Sequence, residues 1–182
     1  MALVDTPICD FGWKAPDFSL PDPSGTMSSK DGLMGPNGLL VAFLCNHCPY
    51  VKGITTRLAK DTHTLMTMGI GVVGIMSNDY RDYPDDAPKK MLEFAAEAGW
   101  NFPYLVDEDQ SIGKAYGAVC TPDFFGFNAD GELQYRGRLD DKGLQGGEGR
   151  TPELVIAMKQ VVETGQGPEN QIPSMGCSIK WS

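Results

Sequence analysis

The chain has 182 residues, 41% hydrophobic and 21% charged, with a formal net charge of −9. That size suits one domain over residues 1–182 with a core of its own. The acidic balance speaks against a nucleic-acid partner, which needs a basic face to displace counterions, and against an anionic membrane surface.

The N-terminus, Met1 to Pro7, has neither a basic segment nor an apolar one, and no apolar run exceeds strand length; a cytoplasmic location is expected. Gly38 to Leu44 is a continuous apolar run that ends at Cys45, as a strand covered on both faces requires. From Pro49 to Met68 the period changes: Val51, Ile54, Leu58, Leu65 and Met66 recur at helical steps, and Gly69 supplies a stop. Ile70–Met76 reads as a second buried strand. Asp86-Ala87-Pro88 opens a helix that Gly99 closes, with Asp86 as its cap. A short strand over 102–106 and a short helix over 109–116 follow. Residues 124–127 and 133–138 flank the turn Asn128-Ala129-Asp130-Gly131, which predicts a hairpin. After a Gly-rich loop (143–149) a last helix starts near Glu153, and residues 165–182 show no periodicity. The expected fold class is α/β, a mixed central sheet with helices on both faces.

The five cysteines are Cys9, Cys45, Cys48, Cys120 and Cys177. An odd number with one close pair is not a disulfide-stapled scaffold. Cys45-Asn46-His47-Cys48 lies where a strand ends and a helix begins. Free N–H groups and the helix dipole there favour a thiolate, the nucleophile of disulfide exchange. Cys45 is expected to be the exposed attacker and Cys48 to close the intramolecular disulfide. His47, when protonated, adds favourable charge. A zinc site would need a second ligand pair, and Cys9, His63, Cys120 and Cys177 are not spaced as one, so neither metal nor cofactor is expected. Thr121-Pro122 has two readings. A cis bond beside a dithiol would leave the preceding backbone free for a substrate strand, whereas a trans bond would make an ordinary turn.

Several stretches together resemble the thioredoxin superfamily, in its redoxin (AhpC/TSA) branch. They are Ala15-Pro16-Asp17-Phe18-Ser19-Leu20, Phe43 to Pro49, Val119-Cys120-Thr121-Pro122-Asp123-Phe124 and Gly176-Cys177-Ser178-Ile179-Lys180-Trp181. The resemblance implies a thioredoxin-like fold with an N-terminal extension and a C-terminal tail. It also implies oxidoreductase chemistry at Cys45 and Cys48, with Asn46, His47, Thr121 and Pro122 in support. Peroxiredoxins, the antioxidant members, carry P-x-x-x-T-x-x-C. With Cys48 as the last residue, the other two positions hold Val41 and Cys45; with Cys45 they hold Gly38 and Ala42. Disulfide exchange is therefore expected ahead of peroxidase activity, with a protein or small-molecule disulfide, or a hydroperoxide, as substrate. A metal-binding or non-catalytic interaction module is the alternative of another class. Copper binding, seen in one redoxin branch, would need a distal histidine, and only His47 and His63 exist.

Arg136 and Arg138 could offer a guanidinium to a peroxide, although solvent-facing strand positions suit them better. Cys120 and Cys177 are candidate auxiliary redox residues, with packing as the alternative; Cys177 sits in a tail able to fold over the pair. Cys9 is expected to be structural. Residues 78–86 read as a solvated loop at the edge of the site. The sequence sets no oligomeric state.

Overall fold

The computed structural model describes residues 2–182. Strands β1 (Leu3–Asp5), β2 (Ser19–Pro21) and β3 (Met27–Ser29) and the one-turn helix α1 (Lys30–Leu33) precede the central strand β4 (Gly38–Phe43). Helices α2 (Pro49–Lys52) and α3 (Thr55–Thr67), strand β5 (Ile70–Met76), helix α4 (Pro88–Ala98), strand β6 (Tyr104–Val106) and helix α5 (Ser111–Tyr116) follow. The chain then forms β7 (Cys120–Thr121), β8 (Asp123–Phe127), β9 (Leu133–Tyr135), α6 (Glu153–Thr164) and β10 (Met175–Ser178).

The main sheet has the order β6-β5-β4-β8-β9. Strands β4, β5 and β6 are parallel, while β8 and β9 enter antiparallel. Every residue of β4 is buried, and its side chains alternate between two cores as the pleat requires. Leu40 and Ala42 join Leu58, Leu65, Met91, Leu154 and Met158 beneath α3, α4 and α6. Leu39, Val41 and Phe43 face Phe125, Phe127 and Tyr116, together with Ala15, Phe18 and Leu20 of the N-terminal segment. This is the mixed α/β architecture that the alternation of strand and helix periods indicated.

Two local expectations are corrected. The stretch 49–68 is two helices, broken at Gly53 and Ile54. A side chain at Gly53 would meet Leu144 at 2.7 Å, so the loop after β9 packs into the break. That loop is far from loose: Arg57 and Arg150 tie Asp140 and Asp61 into one ion-paired group joining it to α3. The tail is also ordered. Strand β10 lies between β1 and β7 in a second, antiparallel sheet. No described helix is long and apolar enough to cross a membrane.

Candidate active site

Strand β4 delivers Cys45 to the end of the sheet, and Cys48 stands at the N-cap of α2 with Pro49 starting the helix. Pro suits that position because its missing N–H has no helical partner to lose. Both cysteines are free thiols and both are buried, so the expectation of an exposed Cys45 does not hold. The long helix expected behind them is also reduced to the single turn of α2. Support for a thiolate therefore comes mainly from neighbouring groups.

Those neighbours converge on Thr121, whose bond to Pro122 is cis. The Thr121 hydroxyl lies 3.2 Å from Cys45 Sγ, and the Cys48 thiol is 3.2 Å from the Thr121 carbonyl oxygen. A hydrogen bond between the two thiols pushes Cys45 well above the ordinary thiol range, and burial and the Asp86 charge push the same way. The same bond draws Cys48 down to about 4 against the cost of burial, with help from the thiol and backbone of Cys177. Within the pair, the charged form is favoured at Cys48 and disfavoured at Cys45.

His47 is held by the segment before α4. Its Nδ1 is 2.6 Å from Asp86 Oδ2, and its ring stacks on Tyr83 with centroids 5.5 Å apart. The Asp86 hydrogen bond raises the His47 pKa above its usual value despite partial burial. Burial pushes Asp86 up, but His47, Asn78 and the Asn46 backbone together hold it below the usual carboxylate range. The two therefore form an ion pair, and the imidazolium attracts the charge on Cys48. Among the described residues, His47 Nε2 is buried without a hydrogen-bond partner. Asn46 is held by Asp85 O at 3.0 Å and by the Tyr104 hydroxyl at 3.1 Å.

Asn78, Tyr83 and Tyr104 carry no site role in the sequence reading, and Asp86 only that of a helix cap. Asp86 was read as a helix cap in a solvated loop, but Ala87 takes that position and the Asp86 carboxylate is fully buried against His47. One acid among Asp79, Asp82, Asp85 and Asp86 carries no local mark of that role.

Ligand-capable atoms of Cys45, His47 and Asp86 lie within 4.8 Å of one another, a set absent from the sequence reading. The Asp86 oxygens are already engaged by the Asn46 N–H, His47 and Asn78, and the surroundings of Cys45 favour its protonated form. As arranged, the group is a hydrogen-bonded support for a thiolate, and a metal would have to displace those bonds.

Arg136 is corrected from a solvent-facing charge to a buried one: it pairs with Asp123 at 3.0 Å and lies over the Phe125 ring, which belongs to the second core. Arg138 pairs with Glu153 at 2.7 Å. Cys120 is fully buried, and burial pushes its thiol up, as a packing role would. Cys9 is partly exposed, and burial pushes it up to about 11. Cys177 is buried beside Cys48 and pushed up to about 11, first by burial and then by the Cys48 contact. The tail does fold over the pair. It also takes the backbone edge at Thr121, since Cys177 pairs with Thr121 in β10–β7.

Beside Pro122 a pocket of about 430 Å³ opens, walled by Tyr50, Phe124, Leu139, Leu144 and Met175.

The solved structure of an uncharacterized conserved protein from Geobacillus kaustophilus superposes with a TM-score of 0.93 at 39% identity, covering 100% of this chain and 97% of that one. A Mycobacterium tuberculosis (strain ATCC 25618 / H37Rv) protein named "Putative peroxiredoxin Rv2521" is 26% identical over 154 residues, 85% of this chain and 87% of that protein. The thioredoxin domain of a thiol-disulfide oxidoreductase from Bacteroides vulgatus gives a TM-score of 0.60 at 19% identity, covering 74% of this chain and 92% of that one. That likeness carries the fold alone: it is thioredoxin-like. The sequence profile of the AhpC/TSA family matches residues 11–136, from the N-terminal segment through β4, the cysteine pair and the cis-proline loop to Arg136. The chain belongs to the AhpC/TSA family.

Proposed function

We propose that the protein is a thiol–disulfide oxidoreductase working through Cys45 and Cys48. The observation that carries this reading is the convergence of both cysteines on Thr121, its hydroxyl 3.2 Å from Cys45 Sγ and its carbonyl oxygen 3.2 Å from Cys48 Sγ. A thiolate attacks one sulfur of a disulfide substrate, a protein or small-molecule disulfide, and the other sulfur leaves as a thiol. The second cysteine then attacks the mixed disulfide, closing Cys45–Cys48 and releasing the remaining thiol. The substrate gains two electrons from the pair and two protons, one from the remaining thiol of the pair and one from solvent.

Chain order places Cys45 first. The resting charge favours the reverse, with Cys48 attacking and Cys45 giving its proton to the leaving group. The ion-paired His47 keeps a positive charge near the pair during attack.

A hydroperoxide is the second substrate reading. The Thr121 hydroxyl stands at Cys45, so a threonine reaches the dithiol across the fold even though the local P-x-x-x-T pattern is missing. On that reading the thiolate becomes a sulfenic acid as the peroxide leaves as an alcohol, and the second cysteine closes the disulfide with loss of water. Arg136 and Arg138, the two arginines the sequence offered for a peroxide, are both engaged in ion pairs, and disulfide exchange stays ahead.

The test is turnover of cystine, of insulin disulfides and of an organic hydroperoxide, each with a thiol reductant, in wild type and in Cys45→Ser and Cys48→Ser. Loss of cystine and insulin reduction is expected in Cys48→Ser, and slower reduction in Cys45→Ser. Variants that keep the wild-type rate would contradict the reading, and zinc retained after dialysis alongside unreactive thiols would favour a metal site.

A further inference from the structure

In a fold of this kind the backbone before a cis proline is an edge on which an extended segment can pair. Here that edge is already taken by the chain itself. Strand β10 sets Cys177 opposite Thr121 and Ser178 opposite Cys120. The fit is close: a side chain at Gly176 would meet the Thr121 carbonyl oxygen at 1.9 Å, so only glycine lets β10 lie flat on the loop. Anchors lie on both sides. Ser174 Oγ donates to Pro122 O at 2.7 Å, and Lys180 N donates to Asn78 Oδ1, which ties the tail to the carboxamide that holds Asp86. This packing buries Cys177 and sets it beside Cys48, in the same apolar core as Cys45.

We propose that β10 is a tethered stand-in for a substrate strand and that Cys177 is a second resolving cysteine for Cys48. Cys48 is then the shared sulfur of two alternative disulfides, Cys45–Cys48 and Cys48–Cys177. The proposal rests on the exchange reading given above and deepens it.

The step balances without a further reagent. The Cys48 thiolate attacks a disulfide of the substrate class already named; the Cys48–substrate bond forms and a substrate thiolate leaves. Cys177 Sγ then attacks Cys48 Sγ, and its proton passes to the second departing substrate thiolate. The substrate is reduced to one thiolate, which takes its proton from solvent, and one thiol, and Cys48 and Cys177 are oxidised to one disulfide. Attack of Cys45 on Cys48 afterwards releases Cys177 as a thiol and moves the disulfide to Cys45–Cys48 with no net oxidation. Burial holds the Cys177 proton, so this resolver acts only when the leaving group can take that proton.

The geometry also separates substrates by size. A small disulfide needs only local access to Cys48. An extended polypeptide needs the Thr121 edge, and hence the departure of β10. The segment leading into β10, Pro173 to Met175, forms one wall of the pocket beside Pro122, so the same departure opens that pocket towards Cys48.

The test uses the full chain, reduced and then treated with limiting oxidised glutathione, with disulfides mapped by mass spectrometry of non-reducing digests. A Cys48–Cys177 peptide is expected in wild type beside Cys45–Cys48, and as the main intramolecular disulfide in Cys45→Ser. In Gly176→Ala its yield should fall several-fold while insulin reduction rises relative to cystine reduction. The proposal is overturned if Cys45–Cys48 forms but Cys177 stays a free thiol, with Cys48 of Cys45→Ser remaining capped by glutathione. If neither Cys45 nor Cys48 is oxidised, the exchange reading fails as well.

Discussion

His47 and Asp86 meet through Nδ1 and Oδ2 at 2.6 Å, thirty-nine positions apart in the chain, and the pair fastens the cysteine loop to the segment before α4. Asp86 is fully buried, and its oxygens also accept from the Asn46 N–H and Asn78 Nδ2. One carboxylate thereby sets the loop backbone, the charge of His47 and, through Asn78 and Lys180, the position of the C-terminal tail.

Asp86→Asn should let the His47 pKa fall back towards 6.5, read from imidazole shifts in a protein with only two histidines. The loss of a charge-assisted hydrogen bond should cost about 1–3 kcal/mol. A raised histidine stabilises fully below its unfolded pKa and loses that as pH climbs through the folded value. A lowered aspartate stabilises fully above its unfolded pKa and loses that as pH falls. The stability gap between wild type and Asp86→Asn should be widest between 3.8 and 6.5 and shrink on either side.

The thiolate absorbance of the reduced protein should titrate with a midpoint near 4. In Cys45→Ala that midpoint should rise, because the Cys45 thiol is the first contributor holding it down. The linkage has a definite sign: a lowered thiol contributes stability fully above its unfolded value of about 9.0 and loses it as pH falls towards 4. Reduced wild type should therefore gain stability relative to Cys48→Ala across that interval, as denaturant midpoints would show.

Thr121→Val removes the hydroxyl, which stands out in drawing Cys45 down while the thiol contact, burial and Asp86 push it up. Closure of Cys45–Cys48 from a mixed disulfide should slow roughly tenfold, the scale of one hydrogen bond to a developing charge. Thr121→Ser should restore it. Rapid-quench alkylation followed by mass spectrometry gives both rates.

Arg136 is a structural residue by its surroundings: its guanidinium donates to Asp123 and to the Gly117 carbonyl oxygen. Removing one partner of a buried pair costs about 3–5 kcal/mol, so Arg136→Met should unfold at markedly lower denaturant. Below its unfolding transition it should keep the wild-type rate of cystine reduction. A selective loss of that rate in folded protein would give Arg136 a chemical role.

The fold was legible because its evidence is local. The apolar run 38–44, the change to helical spacing after Pro49 and the turn at 128–131 each reflect a neighbourhood of a few residues. The cysteine pair was legible for the same reason, and its place at the strand–helix junction held. What stayed hidden depends on contacts between distant segments. Gly53 gave no sign that Leu144 would pack against it, and β10 exists as a strand only because β1 and β7 flank it. Asp86 looked like a cap because Asp-Ala-Pro is a cap pattern, while its partner His47 comes from another element. The burial of Cys45 is not legible because Thr121 and Asp86, which act on it, come from distant elements.

The most direct measurement is the fate of one disulfide equivalent at the dithiol. Reduced Cys177→Ser protein, in which Cys45 and Cys48 act alone, is mixed with oxidised glutathione and followed by intact mass and non-reducing peptide mapping. We expect a Cys45–Cys48 disulfide with no lasting glutathione adduct, and a stable adduct once either cysteine is also replaced by serine. Persistent adducts on a protein that keeps both cysteines, or no reaction at either, would contradict exchange through this pair.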